Sequence, residues 1–410
     1  MDRAILHSDI NSCYANVERL YDPRLGERPF AVCGSVEDRH GIVLAKDEKA
    51  KAAGVKTGMA IWQAKRLCPE LETVSPHFER YAKYSAMVRE IYAEYTDMCE
   101  PFGIDENWLD ITNCLACPDP AATAQEIRRR VKRETGLTVS VGVSWNKVFA
   151  KLGSDYKKPD AVTVIDRECY RRTVWRLPAS ELLMVGRSTG RELSRMGIRT
   201  IGELACTDPE LLAKHFGKSG IMLWRYANGM DDSRVRRVGE EEPPKSIGNS
   251  VTLPYDIESA AEARRTLIML AESIGQRLRA QKLMCRTIEI ALRSEQLSWQ
   301  SHRMRLRYAT DVTSELYEYG FELMRQCHDF SAPLHSLGLR ALELVHAGDV
   351  EQIDMFIDYV NLNKQRGIDS AMDKLRRKYG ADIIRRACLL GDTTAAELAF
   401  CSLPGSELSN

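Results

Sequence analysis

The sequence predicts a multidomain protein of the α/β class, and three observations lead to that prediction. The chain has 410 residues, enough for two to four domains that each bury a core. Strand-like and helix-like segments alternate over the first 166 residues, and a helical, basic region follows over 167–233. A second region of mixed pattern begins at residue 246. We therefore expect an α/β unit, a helical unit and a further unit of mixed structure.

The elements can be placed in order along the chain. An apolar strand is expected over residues 4–9, and a helix is expected to begin near Asn11. Further helices are expected near residues 46–53, 61–68, 81–95 and 121–135. Residues 234–245 combine charge with two prolines, which is typical of an exposed linker. Beyond it we expect a strand at 248–253, a helix at 257–281, strands at 286–293 and 301–306, a helix at 311–327 and a strand at 337–344.

Adjacent carboxylates at Asp105 and Glu106 form the most informative local feature. Apolar residues surround them, so both belong to a segment that resembles buried strands. Burying two like charges side by side requires a cation, and a hard divalent metal is the natural candidate. Asp9 ends the first predicted strand and is a candidate third ligand. Spacing alone leaves open the alternative that these acids are unrelated structural residues.

Charge is balanced over the whole chain but unevenly distributed. The 58 basic residues equal the 58 acidic ones, whereas proteins that hold nucleic acid usually carry a basic footprint. Residues 126–237, however, hold 23 basic and 13 acidic residues, and residues 245–308 hold 11 and 6. Positive charge is therefore concentrated in the middle of the chain, where nucleic acid could be held.

Hydropathy and cysteine usage place further bounds. No apolar run reaches about 18 residues and no cleavable leader precedes the first strand, so we expect a soluble cytoplasmic protein. Among the 12 cysteines, Cys114 and Cys117 form a CxxC pair. Without a second pair or a nearby histidine, this pair favours ordinary reduced thiols over zinc, and redox chemistry stays open.

Three segments resemble, in order and spacing, the signature motifs of the Y-family DNA polymerases, with the closest likeness to the bacterial polymerase IV type. They are HSDINSCYANVE at 7–18, GIDENWLD at 103–110 and VGVSWNKVFAK at 141–151. The resemblance extends from residue 3 to about 345. It implies a right-handed polymerase with a palm (1–10 and 77–166), small fingers (11–76), a helix-hairpin-helix thumb (167–233), the linker (234–245), a βαββαβ little finger (246–345) and a tail (346–410).

The resemblance also implies roles at the active site. Asp9, Asp105 and Glu106 would be the catalytic carboxylates that hold two Mg²⁺ ions, with the main-chain carbonyl of Ile10 as a further ligand. Such a pair of ions is the arrangement used for nucleotidyl transfer. The polymerase would use primer-template DNA and deoxynucleoside triphosphates, copy past damaged bases and have low fidelity.

Four residues fall at the family's nucleotide-contacting positions: Cys13, Tyr14, Lys51 and Lys158. Tyr14 matches the steric gate that excludes a 2′-hydroxyl, and Cys13 replaces an aromatic residue that often precedes it. Lys51 replaces an arginine and keeps its charge without the bidentate fork.

Other positions depart from the family pattern. Asn11 stands where many members have an acid. Glu48 replaces a tyrosine and would repel a triphosphate if it pointed inward. The alternatives are that Lys46 or Lys49 takes over the phosphate contact or that Glu48 turns to solvent.

Candidate DNA contacts follow from the same resemblance. Lys147 and Lys151 share one helix face and are interpreted as support for template or phosphate contacts, with a solvated face as the alternative. Gly186 and Arg187 lie in the thumb, where glycines between short helices let backbone N–H groups approach a phosphate. The family's usual first glycine there is Met184. A helical bundle that uses glycines as caps is the alternative reading of this region.

The tail carries a candidate partner motif, Gln352-Ile353-Asp354-Met355-Phe356, which resembles the clamp-binding pentapeptide of bacterial polymerases. The alternative is that its apolar residues pack on the following helix. A bacterial sliding clamp is therefore an expected partner, no membrane is expected to be one, and a monomer is expected.

Two other functions remain open from sequence alone. The chain could be a DNA-bound scaffold of the same fold that has lost catalysis, although Asp9, Asp105 and Glu106 are intact. It could also be a nucleotide cyclase, whose palm and metal carboxylates look similar, but the thumb-like and little-finger-like regions would then have no task.

Overall fold

The computed structural model describes residues 2–35, 41–240, 242–349, 358–380 and 383–389. They form two compact units, the first from residues 2–34 and 42–240 and the second mainly from the described residues after 241. The strands are β1 (Ile5–Ile10), β2 (Phe30–Cys33), β3 (Val43–Lys46), β4 (Glu72–Val74), β5 (Cys99–Pro101), β6 (Glu106–Asp110), β7 (Val139–Ser144), β8 (Val162–Val164), β9 (Ser246–Ile257), β10 (Leu283–Ser294), β11 (Trp299–Thr310) and β12 (Leu334–His346).

The helices of the first unit are α1 (Cys13–Tyr21), α2 (Glu48–Ala52), α3 (Ile61–Leu67), α4 (Phe78–Ala93), α5 (Pro120–Thr135), α6 (Lys147–Tyr156), α7 (Tyr170–Thr173), α8 (Arg187–Arg195), α9 (Ile201–Cys206), α10 (Pro209–Phe216) and α11 (Lys218–Ala227). Those of the second are α12 (Ala260–Ala280), α13 (Thr313–Cys327) and α14 (Tyr359–Tyr379). Single 3₁₀ turns lie at Pro23–Gly26, Val174–Arg176, Ala179–Glu181 and Ala387–Leu389.

A five-stranded sheet, ordered β5-β6-β1-β7-β8, forms the centre of the first unit. β1 pairs antiparallel with both β6 and β7, and all six of its residues are buried. Apolar side chains of β1, α4 and α5, such as Leu6, Val88 and Ile127, fill the core beside it. The N-terminal strand is therefore the central strand, enclosed on both edges, and its end is fixed relative to its neighbours.

A smaller three-stranded sheet, ordered β3-β2-β4, forms a subdomain between β1 and α4 in sequence. Its core is made largely of small side chains, including Ala31, Val43, Ala50 and Ala64. The expected helix at 46–53 is shorter than predicted, because Lys46 still belongs to β3 and Asp47 caps α2 by accepting a hydrogen bond from the Ala50 N–H at 2.8 Å. This insertion is the small region expected between the first strand and the rest of the sheet.

The region from α7 to α11 is helical, as expected, with a core that includes Leu182, Leu204 and Leu223. Met184 has φ of 72° and is largely exposed. A side chain in this left-handed region is uncommon. The backbone therefore keeps the conformation that a glycine would favour, even though methionine occupies the position.

The prediction that residues 234–245 form an exposed linker is wrong for part of this segment. Val235 is fully buried beside Ile5 and Trp108, and the Val238 N–H donates to the Asp97 carbonyl at 2.9 Å. The Arg236 guanidinium and backbone N–H both donate to Glu100, at 3.1 and 3.0 Å. Two valines in a charged run were the signal for this, because Val235 packs on the sheet while Val238, three residues later, is 63% exposed.

The second unit is a four-stranded sheet, ordered β11-β10-β12-β9, with α12 and α13 contributing to its core. The order strand, helix, strand, strand, helix, strand is confirmed, and each strand is longer than predicted. α14 packs on this unit through ion pairs, including Arg376 with Glu272 at 3.0 Å and Arg279 with Asp373 at 2.7 Å. Within the described ranges, no helix is long and apolar enough to cross a membrane.

Close contact between β7 and α6 depends on Gly142. A Cβ atom there would lie 1.9 Å from the Ala150 carbonyl oxygen and 2.5 Å from the Ser154 nitrogen, both backbone atoms of α6. Since backbone cannot move aside as a flexible side chain can, α6 would have to shift away from the sheet. The sheet and α6 together carry several of the predicted site residues, so this contact sets the geometry of the site.

We therefore expect Gly142→Ala to lower the free energy of unfolding by about 3 kcal/mol or more. Gly186→Ala is the matched control, because a Cβ at Gly186 meets nothing within 4 Å and should change stability by less than about 0.5 kcal/mol. Denaturant unfolding followed by circular dichroism measures both. Equal midpoints for the two variants would contradict the close contact.

Candidate active site

Strand register brings two of the predicted carboxylates together. Asp9 is the cross-strand partner of Glu106, and the Ile10 N–H donates to the Asp105 carbonyl at 2.9 Å. Directly opposed residues in an antiparallel pair have Cβ atoms about 5 Å apart. The three acids predicted from widely separated motifs therefore meet at one end of the central strand pair.

The acids line a cleft of about 470 Å³ between the central sheet and the small three-stranded subdomain. All of the catalytic and nucleotide-contacting residues predicted from sequence contribute to it. The lining residues are Asp9, Ile10, Asn11, Ser12, Cys13, Tyr14, Leu44, Ala45, Lys46, Glu48, Lys51, Thr57, Ile104, Asp105, Glu106 and Lys158. Cys13 itself is 4% exposed and belongs mainly to the core.

Lys158 is the cation beside Asp9. Its ammonium donates to Asp9 Oδ2 at 2.7 Å and to Asp155 Oδ1 at 2.8 Å. Burial raises the pKa of Asp9 to about 7 even though the charge of Lys158 opposes that rise. Asp9 is therefore a buried acid that a single lysine compensates only in part.

Glu106 has a different environment. Lys151 donates to Glu106 Oε2 at 2.5 Å, and Nε2 of the buried His7 ring lies 3.3 Å from the same oxygen. Burial alone would raise the pKa of Glu106, but the contact with His7 and the charge of Lys151 lower it to about 2. His7 also contacts the Ser154 hydroxyl at 2.8 Å, so its ring is held from both sides. Glu106 is therefore firmly ionised, in contrast to Asp9.

The donor set suits a hard divalent cation, although its oxygens do not yet converge. Within the described residues, no three acidic, histidine or cysteine groups already form a metal cage. Asp9 and Glu106 instead direct oxygens at Lys158 and Lys151. Burial, followed by the charge of Glu106, raises the pKa of Asp105. Carboxylate oxygens that lack full compensation in a cleft are ligands that Mg²⁺ accepts, so these residues fit the metal.

Tyr14 is braced by a neighbouring ring. It stacks on Tyr81 with centroids 4.1 Å apart and planes 10° from parallel, and Phe78 meets its edge. The Tyr81 hydroxyl donates to Glu18 at 2.5 Å, and Glu18, which is 2% exposed, also accepts from Arg80 at 2.9 Å. The sequence motif contained Tyr14 but gave no sign of the brace, because α4 is far from α1 in the chain.

Glu48 is placed on the cleft and not turned away from it. It accepts from the Ser12 hydroxyl at 3.3 Å, and its ion pair with Lys51 is 3.4 Å long, with both side chains about half exposed. Lys46 also lines the cleft, whereas Lys49 donates to the backbone carbonyl of Gly26 at 2.7 Å. Lys46 and Lys49 were the two candidates to replace the phosphate contact of the family's tyrosine, and Lys46 is the one that lines the cleft.

Asn11 has a structural task that sequence analysis missed. Its side chain donates to Ser140 Oγ and accepts from the Asp160 N–H, both at 2.9 Å. The Asp160 carboxylate is held in turn by Arg128 at 2.6 Å. Asn11 therefore ties the loop of Lys158 to the central sheet.

The predicted DNA-contacting residues fall into two groups. Lys147 donates to Glu100 at 2.8 Å and lies over the Trp108 ring, so both it and Lys151 are engaged in ion pairs inside the unit. Gly186 and Arg187 are exposed at the start of α8. Nothing in this geometry tests a DNA contact, which stays a prediction for all four. The motif Gln352–Phe356 lies outside the described residues.

Sequence models of known families match most of the chain. The impB/mucB/samB family matches residues 8–155, its C-terminal domain matches residues 244–355, and the DNA polymerase-iota thumb domain matches residues 180–231.

Curated relatives cover nearly the whole chain. DNA polymerase IV of Acetivibrio thermocellus is 45% identical over 393 residues, which are 96% of this chain and 98% of the relative. DNA polymerase IV 1 of Bacillus subtilis is 37% identical over 391 residues, which are 95% and 93% of the two chains.

One solved structure supports the architecture. The Y-family DNA polymerase chimera Dbh-Dpo4(243-245)-Dbh has a TM-score of 0.75 and 22% identity, and the match covers 84% of this chain and 99% of that chain. At this identity the likeness concerns the fold, and it agrees with a palm, fingers, thumb and little finger.

Proposed function

The chain belongs to the Y family of DNA polymerases, in the DNA polymerase IV group, and we propose that it extends primers by two-metal catalysis at Asp9, Asp105 and Glu106. It is a DNA-directed DNA polymerase of the translesion type. The meeting of the three carboxylates in one cleft is the observation that carries the mechanism. The cyclase alternative loses its basis, since the relatives named above are polymerases, and primer extension decides for or against the scaffold alternative.

We assign the metal ligands as Asp9, the Ile10 carbonyl, Asp105 and Glu106, for two Mg²⁺ ions. When bound, Mg²⁺ supplies charge neutralisation and lowers the pKa of the attacking hydroxyl. The protein supplies a rigid strand pair that fixes the spacing of the acids. Glu106, whose pKa is lowered to about 2, is ionised under all working conditions, and Lys151 and His7 hold its orientation.

Lys158 is proposed to exchange partners during the reaction. Without substrate its ammonium compensates Asp9 at 2.7 Å. With Asp9 as a metal ligand, the same ammonium would be available to a triphosphate oxygen, and the tether from Asn11 to Asp160 keeps Lys158 at the cleft. Lys46 and Lys51 supply further positive charge from the fingers. The ion pair with Lys51 weakens the repulsion between Glu48 and the triphosphate.

Tyr14 is proposed as the filter for the sugar. Its ring lines the cleft that holds the acids, and its stack on Tyr81 keeps it from rotating aside. A ring held in place rejects an added hydroxyl sterically. The fingers subdomain is small, with three short strands and three short helices, which suits weak geometric checking of the nascent base pair in a polymerase that copies past lesions.

Contacts with DNA and with other partners complete the proposal. The exposed N-terminus of α8, with Gly186 and Arg187, offers backbone N–H groups and one positive charge to a phosphate. Lys147 and Lys151 are proposed to support template or phosphate contacts, and their ion pairs with Glu100 and Glu106 fix their positions. A sliding clamp is proposed to bind Gln352, Ile353, Asp354, Met355 and Phe356, and a cytoplasmic monomer remains the expectation.

Primer extension tests the carboxylates. Asp105→Ala is expected to reduce the rate by roughly three orders of magnitude, the scale lost with one strong transition-state contact. Asp97→Ala, an exposed acid of the same unit, should leave the rate unchanged. Extension by Asp105→Ala at the wild-type rate would remove the acid from the mechanism.

Sugar selection tests Tyr14. Tyr14→Ala should reduce discrimination against ribonucleotides by about 100-fold, measured as the ratio of kcat/KM for the two sugars. Tyr21→Ala changes an aromatic residue at the far end of the same helix and should keep the wild-type ratio. If both variants discriminate like the wild type, the gate lies elsewhere.

Clamp dependence tests the tail. Deleting residues 352–356 should abolish stimulation by a bacterial sliding clamp while activity on a bare primer stays within about twofold of wild type. A control variant with Gln365→Ala, a partly buried residue of α14, should be stimulated normally. Full stimulation of the deletion variant would assign clamp binding to another surface.

A further inference from the structure

Two cysteines of the first unit have their sulfur atoms in contact. Cys114 and Cys117 form a tight turn, in which the Cys117 N–H donates to the Cys114 carbonyl at 3.0 Å, and their Sγ atoms lie 2.8 Å apart. Both are free thiols. A disulfide requires Cα atoms that lie within about 7 Å, and residues i and i+3 of such a turn meet this requirement. The backbone therefore already holds the two thiols within reach of a bond.

The two thiols differ in access to solvent. Cys117 is 7% exposed and packs in the core of the central sheet, whereas Cys114 is partly exposed and Leu115 between them is 100% exposed. Burial and the neighbouring Cys114 sulfur raise the pKa of Cys117 to about 11. Cys114 is therefore the sulfur that a reagent in solution meets first.

The turn lies at the end of β6 away from the catalytic acids. Glu106 begins this strand, and the turn follows Asp110 at its end, where the Ile111 N–H donates to the Ala4 carbonyl at 3.0 Å. The turn leads into α5, which carries Arg128. A bond across this turn would fasten the connection between β6 and α5 without entering the cleft.

We propose that Cys114 and Cys117 are a reversible redox site, which low-molecular-weight disulfides oxidise to an intramolecular disulfide. The Cys114 thiolate attacks one sulfur of the reagent, RSSR, and forms a mixed disulfide while one RS⁻ leaves. The Cys117 thiolate then attacks Cys114 Sγ and expels the second RS⁻. Both cysteine protons end on the released thiols, so one RSSR is reduced to two RSH as the two cysteines are oxidised.

A metal site is the competing reading of two close thiols. Soft-metal sites generally need four ligands, and within the described part of the chain no third histidine, cysteine or acid joins this pair to form a cluster. The redox reading is independent of the proposed polymerase mechanism, because neither cysteine touches the cleft.

The test uses the full-length protein, equilibrated with mixtures of reduced and oxidised glutathione and quenched with N-ethylmaleimide. We expect an intact mass that is lower by two hydrogens, a proteolytic peptide that contains an internal Cys114–Cys117 bond, and reversal by dithiothreitol. Primer extension should stay within about twofold of the reduced protein, since the bond forms away from the acids. Alkylation of both thiols at every ratio, or a stable glutathione adduct on wild-type Cys114, would overturn the proposal.

Single variants test the order of attack. Cys117→Ser should trap glutathione on Cys114, whereas Cys114→Ser should leave the buried Cys117 largely unmodified. Cys206→Ser and Cys388→Ser, which change exposed single cysteines, should still form the internal bond. An adduct on Cys117 in Cys114→Ser, with none on Cys114 in Cys117→Ser, would contradict the proposed order. Should a variant fail to fold, peptide mapping of the wild type decides alone.

Discussion

The register of β1 between β6 and β7 is the constraint on which the rest of the site depends. Side chains along a strand alternate between faces, so a slip of one residue would move Asp9 to the opposite face and away from Glu106. Six buried residues of β1, with partners on both edges, prevent such a slip. The packing of the sheet therefore offsets the electrostatic repulsion among the clustered acids. Their positions do not depend on a flexible loop.

That register creates an electrostatic problem, which other elements solve. α6 lies close enough to the sheet, at Gly142, for Lys151 to reach Glu106, and the loop after α6 brings Lys158 to Asp9. Burial keeps the pKa of Asp9 high despite Lys158, whereas His7 and Lys151 keep Glu106 firmly ionised. If the acids hold metal as proposed, one firmly ionised carboxylate and one with a raised pKa would let the site fold without metal and still favour a divalent cation.

Sequence reasoning found Asp9, Asp105, Glu106 and Tyr14 in short contiguous motifs and Lys158 at a position that matches the family, and the structure brings all five to one cleft. Their roles in catalysis stay predictions. Sequence reasoning missed the brace of Glu18 on Tyr81 and the tether from Asn11 to Asp160, since both join segments that are far apart in the chain. It also treated 234–245 as uniformly exposed, although Val235 is buried. Composition describes the average of a segment, whereas burial is decided at single positions. The order of strands and helices in the second unit was predictable because it rests on long periodic segments, and only the ends of the elements shifted.

Buried glutamates explain why the equal numbers of basic and acidic residues say little about how the protein binds DNA. Glu18 gathers Arg80 and His77, Glu100 gathers Lys147 and Arg236, and each of these acids is at most 6% exposed. In the second unit, Glu272 likewise gathers Arg376 and Arg386. Such pairs add little net stability, but they fix which elements meet, because removing one partner strands a buried charge. Lysines and arginines that are paired with buried glutamates are unavailable to phosphate. A count of basic residues in a segment is therefore larger than the positive charge that the segment can offer to DNA. The cations left at the surface, such as Arg187 beside an open helix N-terminus, are therefore the ones whose position matters for binding.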